Sequence, residues 1–244
     1  MAKVKAKTYD ASAIRQLKGL EAVRERPGMY LGDPTSGDAL HHLIKEVVDN
    51  SVDEHLGGHC DKIEVKLQAD GVCTVIDNGR GIPVEIHPEE GISALQMVLC
   101  SLHAGGKFDN DSYEQSAGLH GVGVSAVNAV SKWLVARVWR GEKLNGDDVH
   151  YEFRCERGIP VTPVERIVLM GSSDDAPDGP TGTVITWKRD LQIFKGVIDY
   201  DRKIVADRLQ ELAFLNPGLL LTLTDERGKA PRVQKFQFED GIRQ

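Results

Sequence analysis

The sequence predicts an α+β fold in which helices and strands are segregated along the chain. Helical periodicity is concentrated in the first half, strand-like runs in the second, and the regular strand–helix alternation of a doubly wound sheet is missing. Its 244 residues are 41% hydrophobic and 27% charged, which allows a sizeable core and argues against disorder.

Residues 1–13, lysine-rich at their start, read as an arm, and 14–244 as one domain. Ile14, Leu17, Leu20 and Val23 recur at helical spacing, and Pro27-Gly28 is expected to stop that helix. The clearest helix is 38–56, with Asp38 at its N-cap and Gly57-Gly58 ending it. Strands follow at 62–67 and 72–77 around the turn Ala69-Asp70-Gly71. A helix is expected at 92–102. The glycines of 103–123 then mark a loop, and another helix opens near its end and runs to Val130. Strands are expected at 133–139, 149–155, 159–167, 183–188, 219–224 and 233–238, with an amphipathic helix at 200–214. Two polar stretches, 141–148 and 172–180, read as mobile inserts.

Several function classes are excluded by composition. No apolar run reaches the roughly 18 to 20 residues that span a bilayer, and the N-terminus lacks the apolar stretch of a secretory signal, so a cytoplasmic protein is expected. Cys60, Cys73, Cys100 and Cys155 form no C-x-x-C pair and read as reduced, mostly core thiols. A net charge of −7 without a dense basic run makes the chain a poor DNA clamp by itself.

Three segments carry the chemistry. On the 38–56 helix, Leu40, Leu43, Ile44, Val47 and Val48 face the core, while His42, Glu46, Asn50 and Asp53 form a polar ridge at its border. Asp77-Asn78-Gly79-Arg80-Gly81-Ile82-Pro83 leaves the end of an apolar strand, which predicts a partly enclosed Asp77 carboxylate near the sheet edge. Such an acceptor can take a hydrogen bond from an exocyclic amino group and so separate adenine from guanine. Gly118-Leu119-His120-Gly121-Val122-Gly123-Val124-Ser125 opens a helix, where bare N–H groups and the helix dipole favour phosphate. It is not a Walker A motif, because it contains no Gly-Lys pair, and Gly106-Lys107 before it is followed by Phe108 where Ser or Thr is required. Taken singly, each has an ordinary reading: a polar helix flank, a turn between strands, a loop.

Together, in this order, the three segments resemble the N box and the two glycine boxes of the GHKL ATPase superfamily. Arg24-Glu25-Arg26-Pro27-Gly28-Met29-Tyr30-Leu31-Gly32, Glu46 to Glu54 and Leu102-His103-Ala104-Gly105-Gly106-Lys107-Phe108 narrow the resemblance to the ATPase subunits of type II DNA topoisomerases. The stretch Gly106 to Tyr113 is more similar to the gyrase branch than to the topoisomerase IV branch. Chaperone and mismatch-repair ATPases share the boxes but not the R-P-G-M-Y segment. Histidine-kinase domains transfer phosphate and have no use for a water-activating Glu46. A nucleotide switch without turnover is the non-enzymatic alternative.

The resemblance implies the Bergerat two-layer sandwich, a mixed, mostly antiparallel sheet with helices on one face. It also implies ATP and Mg²⁺ as ligands. Glu46 matches the general base, His42 the residue that supports it, and Asn50 the Mg²⁺ ligand. Asp77 matches the adenine acceptor, assisted by Thr183, with Gly81 beside the base. Arg80, Ile82 and Pro83 would wall the pocket, Arg80 being paired with Glu54. Lys107 and the backbone of Gly118, Leu119, His120, Gly121, Val122 and Gly123 would hold the phosphates. Arg140 matches the arginine at the pocket mouth, where with Asp77 aminocoumarin inhibitors bind. Tyr9 and Ile14 match an arm that enters a second copy when ATP dimerises the protein. Further partners implied are the gyrase A protein, in an A2B2 assembly, and DNA through the full-length enzyme; no membrane is implied. Ala117 departs from the family, which has glycine there.

The sequence stops at Gln244, before the transducer lysine and DNA-gate regions of the family, so a fragment is expected. It should bind Mg·ATP, hydrolyse it slowly and dimerise poorly. A steady-state phosphate-release assay checks this; fast, DNA-stimulated turnover by this chain alone would overturn it.

Overall fold

The periodicity of the 38–56 segment becomes α3, Gly37–Leu56, whose Leu40, Leu43, Ile44, Val47, Val48 and Val52 are buried in the main core. The computed structural model describes residue 17 and residues 19–102, 123–169, 175–196 and 199–239. Before α3 lie two short helices, α1 (Glu21–Glu25) and α2 (Gly28–Leu31). After it come α4 (Ala94–Cys100), α5 (Gly123–Val130) and α6 (Arg202–Leu215). Two of these carry side-chain caps: Ser93 Oγ accepts from Gln96 N, and Asp201 accepts from Lys203 N and Ile204 N.

The strands among the described residues form one sheet. They are β1 (Lys62–Gln68), β2 (Val72–Asp77), β3 (Ser131–Leu144), β4 (Asp147–Glu156), β5 (Ile159–Pro160), β6 (Glu165–Val168), β7 (Thr181–Arg189), β8 (Leu220–Asp225) and β9 (Arg232–Phe236). Their order is β5-β4-β3-β7-β2-β1-β8-β9, with β6 also on β4. Every pairing is antiparallel except β1 with β8. This is the expected mixed, mostly antiparallel sheet.

Alternation along the strands decides the layers. Ile63, Val65 and Leu67 of β1, Cys73 and Val75 of β2, Leu134, Ala136 and Val138 of β3, and Ile185 and Trp187 of β7 join the helices in one core. The opposite face carries a smaller cluster, Ile76, Trp139 and Val184, against which Leu169 and Ala176 pack. All helices among the described residues thus contribute to one layer, and the α+β sandwich stands.

Several local expectations are corrected. Ser36, not Asp38, occupies the N-cap of α3, and Asp38 lies in the first turn, where its charge complements the helix dipole. Pro27-Gly28 does not simply stop a helix: Pro27 is the N-cap of α2, a position that needs no N–H from it. The single strand expected at 159–167 is split into β5 and β6, and Pro160 and Pro163, which lack N–H donors, fall just before the break and within it.

The stretch 141–148 is a hairpin rather than a mobile insert. Leu144 pairs with Asp147, and the intervening Asn145 and Gly146 have φ of 55° and 96°. Both central residues with positive φ make the primed turn that Asn-Gly favours. The described end of the second insert is docked too: Asp175 accepts from Lys66 Nζ at 2.8 Å, and Asp178 pairs with Lys62.

Cys60, Cys73 and Cys155 are buried and Cys100 half-buried, all as free thiols, with the sulfurs of Cys100 and Cys155 3.6 Å apart. Among the described residues no helix is long and apolar enough to cross a membrane.

Candidate functional site

Helix α3 supplies one wall of the site because its polar ridge runs along the border of the core. His42, Glu46 and Asn50 are half-buried on successive turns, and Asp53 is fully buried. His42 Nε2 lies 2.9 Å from Glu46 Oε1, so the imidazole fixes the direction of the carboxylate. The other oxygen, Oε2, lies against Gly123, where any Cβ would overlap it. Glu46 therefore sits at the start of α5, the end at which a helix dipole is positive. A carboxylate held by an imidazole and still partly open to solvent can accept a proton from water.

Asp77 ends β2, and β2 lies between β7 and β1 in the middle of the sheet. The expected position near a sheet edge is thus corrected: Asp77 is at the end of a central strand and only 7% exposed. Three groups hold its carboxylate. Oδ2 accepts from Ser51 Oγ at 2.8 Å, and Oδ1 accepts from Gly79 N at 3.0 Å and Thr183 N at 3.2 Å. A carboxylate has about four lone-pair sites, so one acceptor position remains, on Oδ2. Burial pushes its pKa up to about 6, against the three hydrogen bonds that lower it, and the charge of Glu54 adds to the rise.

Ser51 was not among the sequence candidates. Its signal was legible: it lies one turn beyond Val47, on the apolar side of α3, where a hydroxyl must find a partner. Ser51 also sets the scale of the site, because Glu46 precedes it by five residues, roughly 7.5 Å along the helix axis.

The segment after Asp77 folds over the end of the sheet. Gly81 has φ of 76°, and a Cβ there would lie 2.5 Å from the Trp139 carbonyl oxygen and 2.9 Å from Val138 Cγ1. Only glycine permits this approach. Arg80 is anchored by Glu54, with Nε at 2.9 Å and Nη2 at 2.8 Å from the two carboxylate oxygens, and its backbone N–H also donates to Glu54. Arg140 Nη1 donates to the carbonyls of Arg80 and Gly81, at 2.9 and 2.7 Å, tying β3 to the same segment. Ile82 packs on the core and Pro83 is exposed.

The structure thus brings together Ser51, Asp77, Arg80, Gly81, Arg140 and Thr183 at one end of α3, and His42, Glu46 and Gly123 further along it. Tyr9, Lys107, Gly118, Leu119, His120, Gly121 and Val122 lie outside the described residues. Among the described residues no group of three or more His, Cys, Asp or Glu could hold a metal ion alone. The amide oxygen of Asn50 suits a hard cation such as Mg²⁺, which shares its shell with water and phosphate oxygens.

A family model described as Histidine kinase-, DNA gyrase B-, and HSP90-like ATPase matches residues 35–193, which contain both the α3 ridge and Asp77. The chain belongs to this ATPase family. Within it, the chain is 50% identical over 235 residues to the DNA gyrase B protein of Treponema pallidum, covering 96% of this chain and 34% of that protein. It is 49% identical over 236 residues to the DNA gyrase B protein of Synechocystis, covering 97% of this chain and 21% of the relative. Among solved structures it is similar to the 43K ATPase domain of Thermus thermophilus gyrase B in complex with an aminocoumarin. That likeness has a TM-score of 0.73 and 38% identity, covering 91% of this chain and 52% of the other. The chain therefore spans about a third or less of the two curated relatives and about half of the solved ATPase chain.

The raised pKa of Asp77 gives a stability test. A folded-state pKa raised from 3.8 to about 6 favours the folded protein below pH 3.8, and the advantage is lost as pH rises through 6. Asn can keep the same acceptor oxygen and does not titrate. Between pH 5 and pH 8, Asp77→Asn should therefore gain stability relative to wild type by on the order of 1–2 kcal/mol. Urea unfolding at both pH values measures it, and a constant difference would mean that the carboxylate titrates normally.

Proposed function

We propose that the chain binds Mg·ATP and hydrolyses it as the ATPase domain of a DNA gyrase B protein. The observation that carries this reading is the buried Asp77 carboxylate with one acceptor position left, held by Ser51 of the same helix that carries the His42–Glu46 pair. The exocyclic amino group of adenine fills that position, assisted by Thr183. Guanine presents a carbonyl there and is rejected, because acceptor would face acceptor. Gly81 leaves room for the ring, while Arg80, Ile82, Pro83 and Arg140 line its open side, with Glu54 holding Arg80. Lys107 and the backbone of 118–123 hold the phosphates.

Glu46 acts as general base. The water oxygen attacks the γ-phosphorus, the bond from phosphorus to the β–γ bridging oxygen breaks, and a water proton passes to Glu46. ADP and inorganic phosphate leave. His42 keeps the receiving oxygen aimed at the water. Asn50 would hold Mg²⁺ by its amide oxygen, and the ion when bound supplies charge neutralisation to the phosphates.

In the whole protein, hydrolysis and ATP-driven dimerisation through the arm bearing Tyr9 would power DNA strand passage and negative supercoiling. The partners are a second copy, the gyrase A protein in an A2B2 assembly, DNA through the full-length enzyme, and aminocoumarin-type inhibitors at Asp77 and Arg140. Cytoplasm is the expected location. Topoisomerase IV is not favoured, since the two curated relatives are gyrase B proteins.

Calorimetry with Mg·AMPPNP and with GTP tests the reading. Wild type should bind the adenine nucleotide 1:1 and GTP weakly, and Asp77→Asn should lose most of the affinity. Equal binding of both nucleotides would remove Asp77 from its role. Glu46→Ala should keep nucleotide binding and reduce turnover by about 10² or more, which a phosphate-release assay resolves.

A further inference from the structure

Arg24, in the Arg24-Glu25-Arg26-Pro27-Gly28-Met29-Tyr30 segment, has no role in the site above, yet it is fixed at two points. Its Nη1 donates to the carbonyl of Ala129 at 2.6 Å, and its Nη2 to Asp190 Oδ2 at 2.8 Å. Ala129 lies in the last turn of α5, and Gly123, which lies against Glu46, begins the same helix. The helix is eight residues long, roughly 12 Å. A displacement of one end is therefore felt at the other.

Asp190 is built to receive this arginine. Its side chain is 3% exposed, and Oδ2 also accepts from Arg157 Nε at 2.8 Å while Oδ1 accepts from Gln192 N at 3.0 Å. Burial raises its pKa, but the N–H of Gln192 and the two guanidinium groups outweigh that and hold the carboxyl below its ordinary range. The backbone N–H of Asp190 in turn donates to the carbonyl of Val130, the last residue of α5. Arg24 thus holds the C-terminal end of α5 by its side chain and Asp190 by its backbone N–H, while the Asp190 carboxylate holds Arg24. The clamp also satisfies carbonyls that a helix end leaves unpaired and places a cation at its negative pole.

We infer that Arg24 is a positioning residue for the nucleotide's phosphate half: through the Asp190 clamp it sets where α5 begins, and hence the spacing between Gly123 and the Glu46 carboxylate. The inference rests on the proposed ATP site and adds a residue that touches neither nucleotide nor water. Asp77 and Arg140 pair with the Thr181–Thr183 end of β7, whereas Asp190 follows its other end, Arg189. Loss of Arg24 should therefore separate the two halves of the pocket.

The test uses Arg24→Met and Arg24→Lys in the full chain, with two probes titrated by calorimetry. Mg·AMPPNP reads the phosphate half, and an aminocoumarin reads the Asp77–Arg140 half. Arg24→Met should lose roughly tenfold to a hundredfold in AMPPNP affinity, while aminocoumarin affinity stays within about threefold. Retained aminocoumarin binding also reports that the variant is folded. Equal losses for both probes, or no loss for either, would overturn the positioning role. If the Met variant fails to fold, Arg24→Lys decides. Its ammonium keeps a charge beside Asp190 but cannot present the planar two-pronged donor to both carboxylate and carbonyl. A selective AMPPNP loss there supports the inference, and wild-type affinity for AMPPNP or a parallel loss of both probes overturns it. A wild-type chain that binds neither probe would overturn the ATP reading itself, and with it this inference, and is distinguishable because no variant is needed to see it.

Discussion

The arrangement depends on the burial of one carboxylate. Asp77 occupies a place where an ion is costly unless hydrogen bonds surround it, and each of its three donors comes from a different part of the chain. Ser51 is supplied by α3, Gly79 by the turn that follows β2, and Thr183 by β7. Holding them in reach of one side chain fixes the angle at which the helix crosses the sheet and the register of β7 beside β2. Displacing any one leaves a buried oxygen short of a partner, a loss of about 1–3 kcal/mol.

The rest of the site grows outward from this point. The turn that brings Gly79 to Asp77 also sends Arg80 to Glu54 and Gly81 under β3. In the other direction, the helix that delivers Ser51 carries Glu46, so position along α3 measures distance from Asp77. The Asp77 carboxylate and the His42–Glu46 pair are therefore linked by a rigid element rather than by loops.

Much of this was legible in the sequence. The period of α3, the hairpin of β1 and β2, and the pairing of a carboxylate with glycines are local patterns, and they placed Glu46, Asn50 and Asp77. What was not legible depends on neighbours remote in sequence. Asp77 ends an apolar run whether its strand is central or at an edge, and only the pairing of 72–77 with 183–188 distinguishes the two. Ser51 was overlooked because a small hydroxyl does not interrupt an apolar face. Asn145-Gly146 was a turn signal read as mere polarity, although long strands on either side converted it to a hairpin. Arg24 and Asp190 are 166 residues apart, and nothing in either segment names the other.

The order of strands has a consequence for how the chain reaches its native state. β2 and β1 are joined by a tight turn, but β7, which sits on the other side of β2, pairs Thr183 with Asp77 across 106 residues. β8 pairs in parallel with β1 across a longer span still, Lys62 with Leu220. Closing loops of this size before their contacts form slows folding. During synthesis, α3 and the first hairpin emerge well before the strands that flank them. Asp77 spends that interval at an open edge, wet and ordinarily acidic. It becomes a buried acceptor with a raised pKa only when the last third of the chain arrives, so a partly folded chain has the residues of the site without their environment.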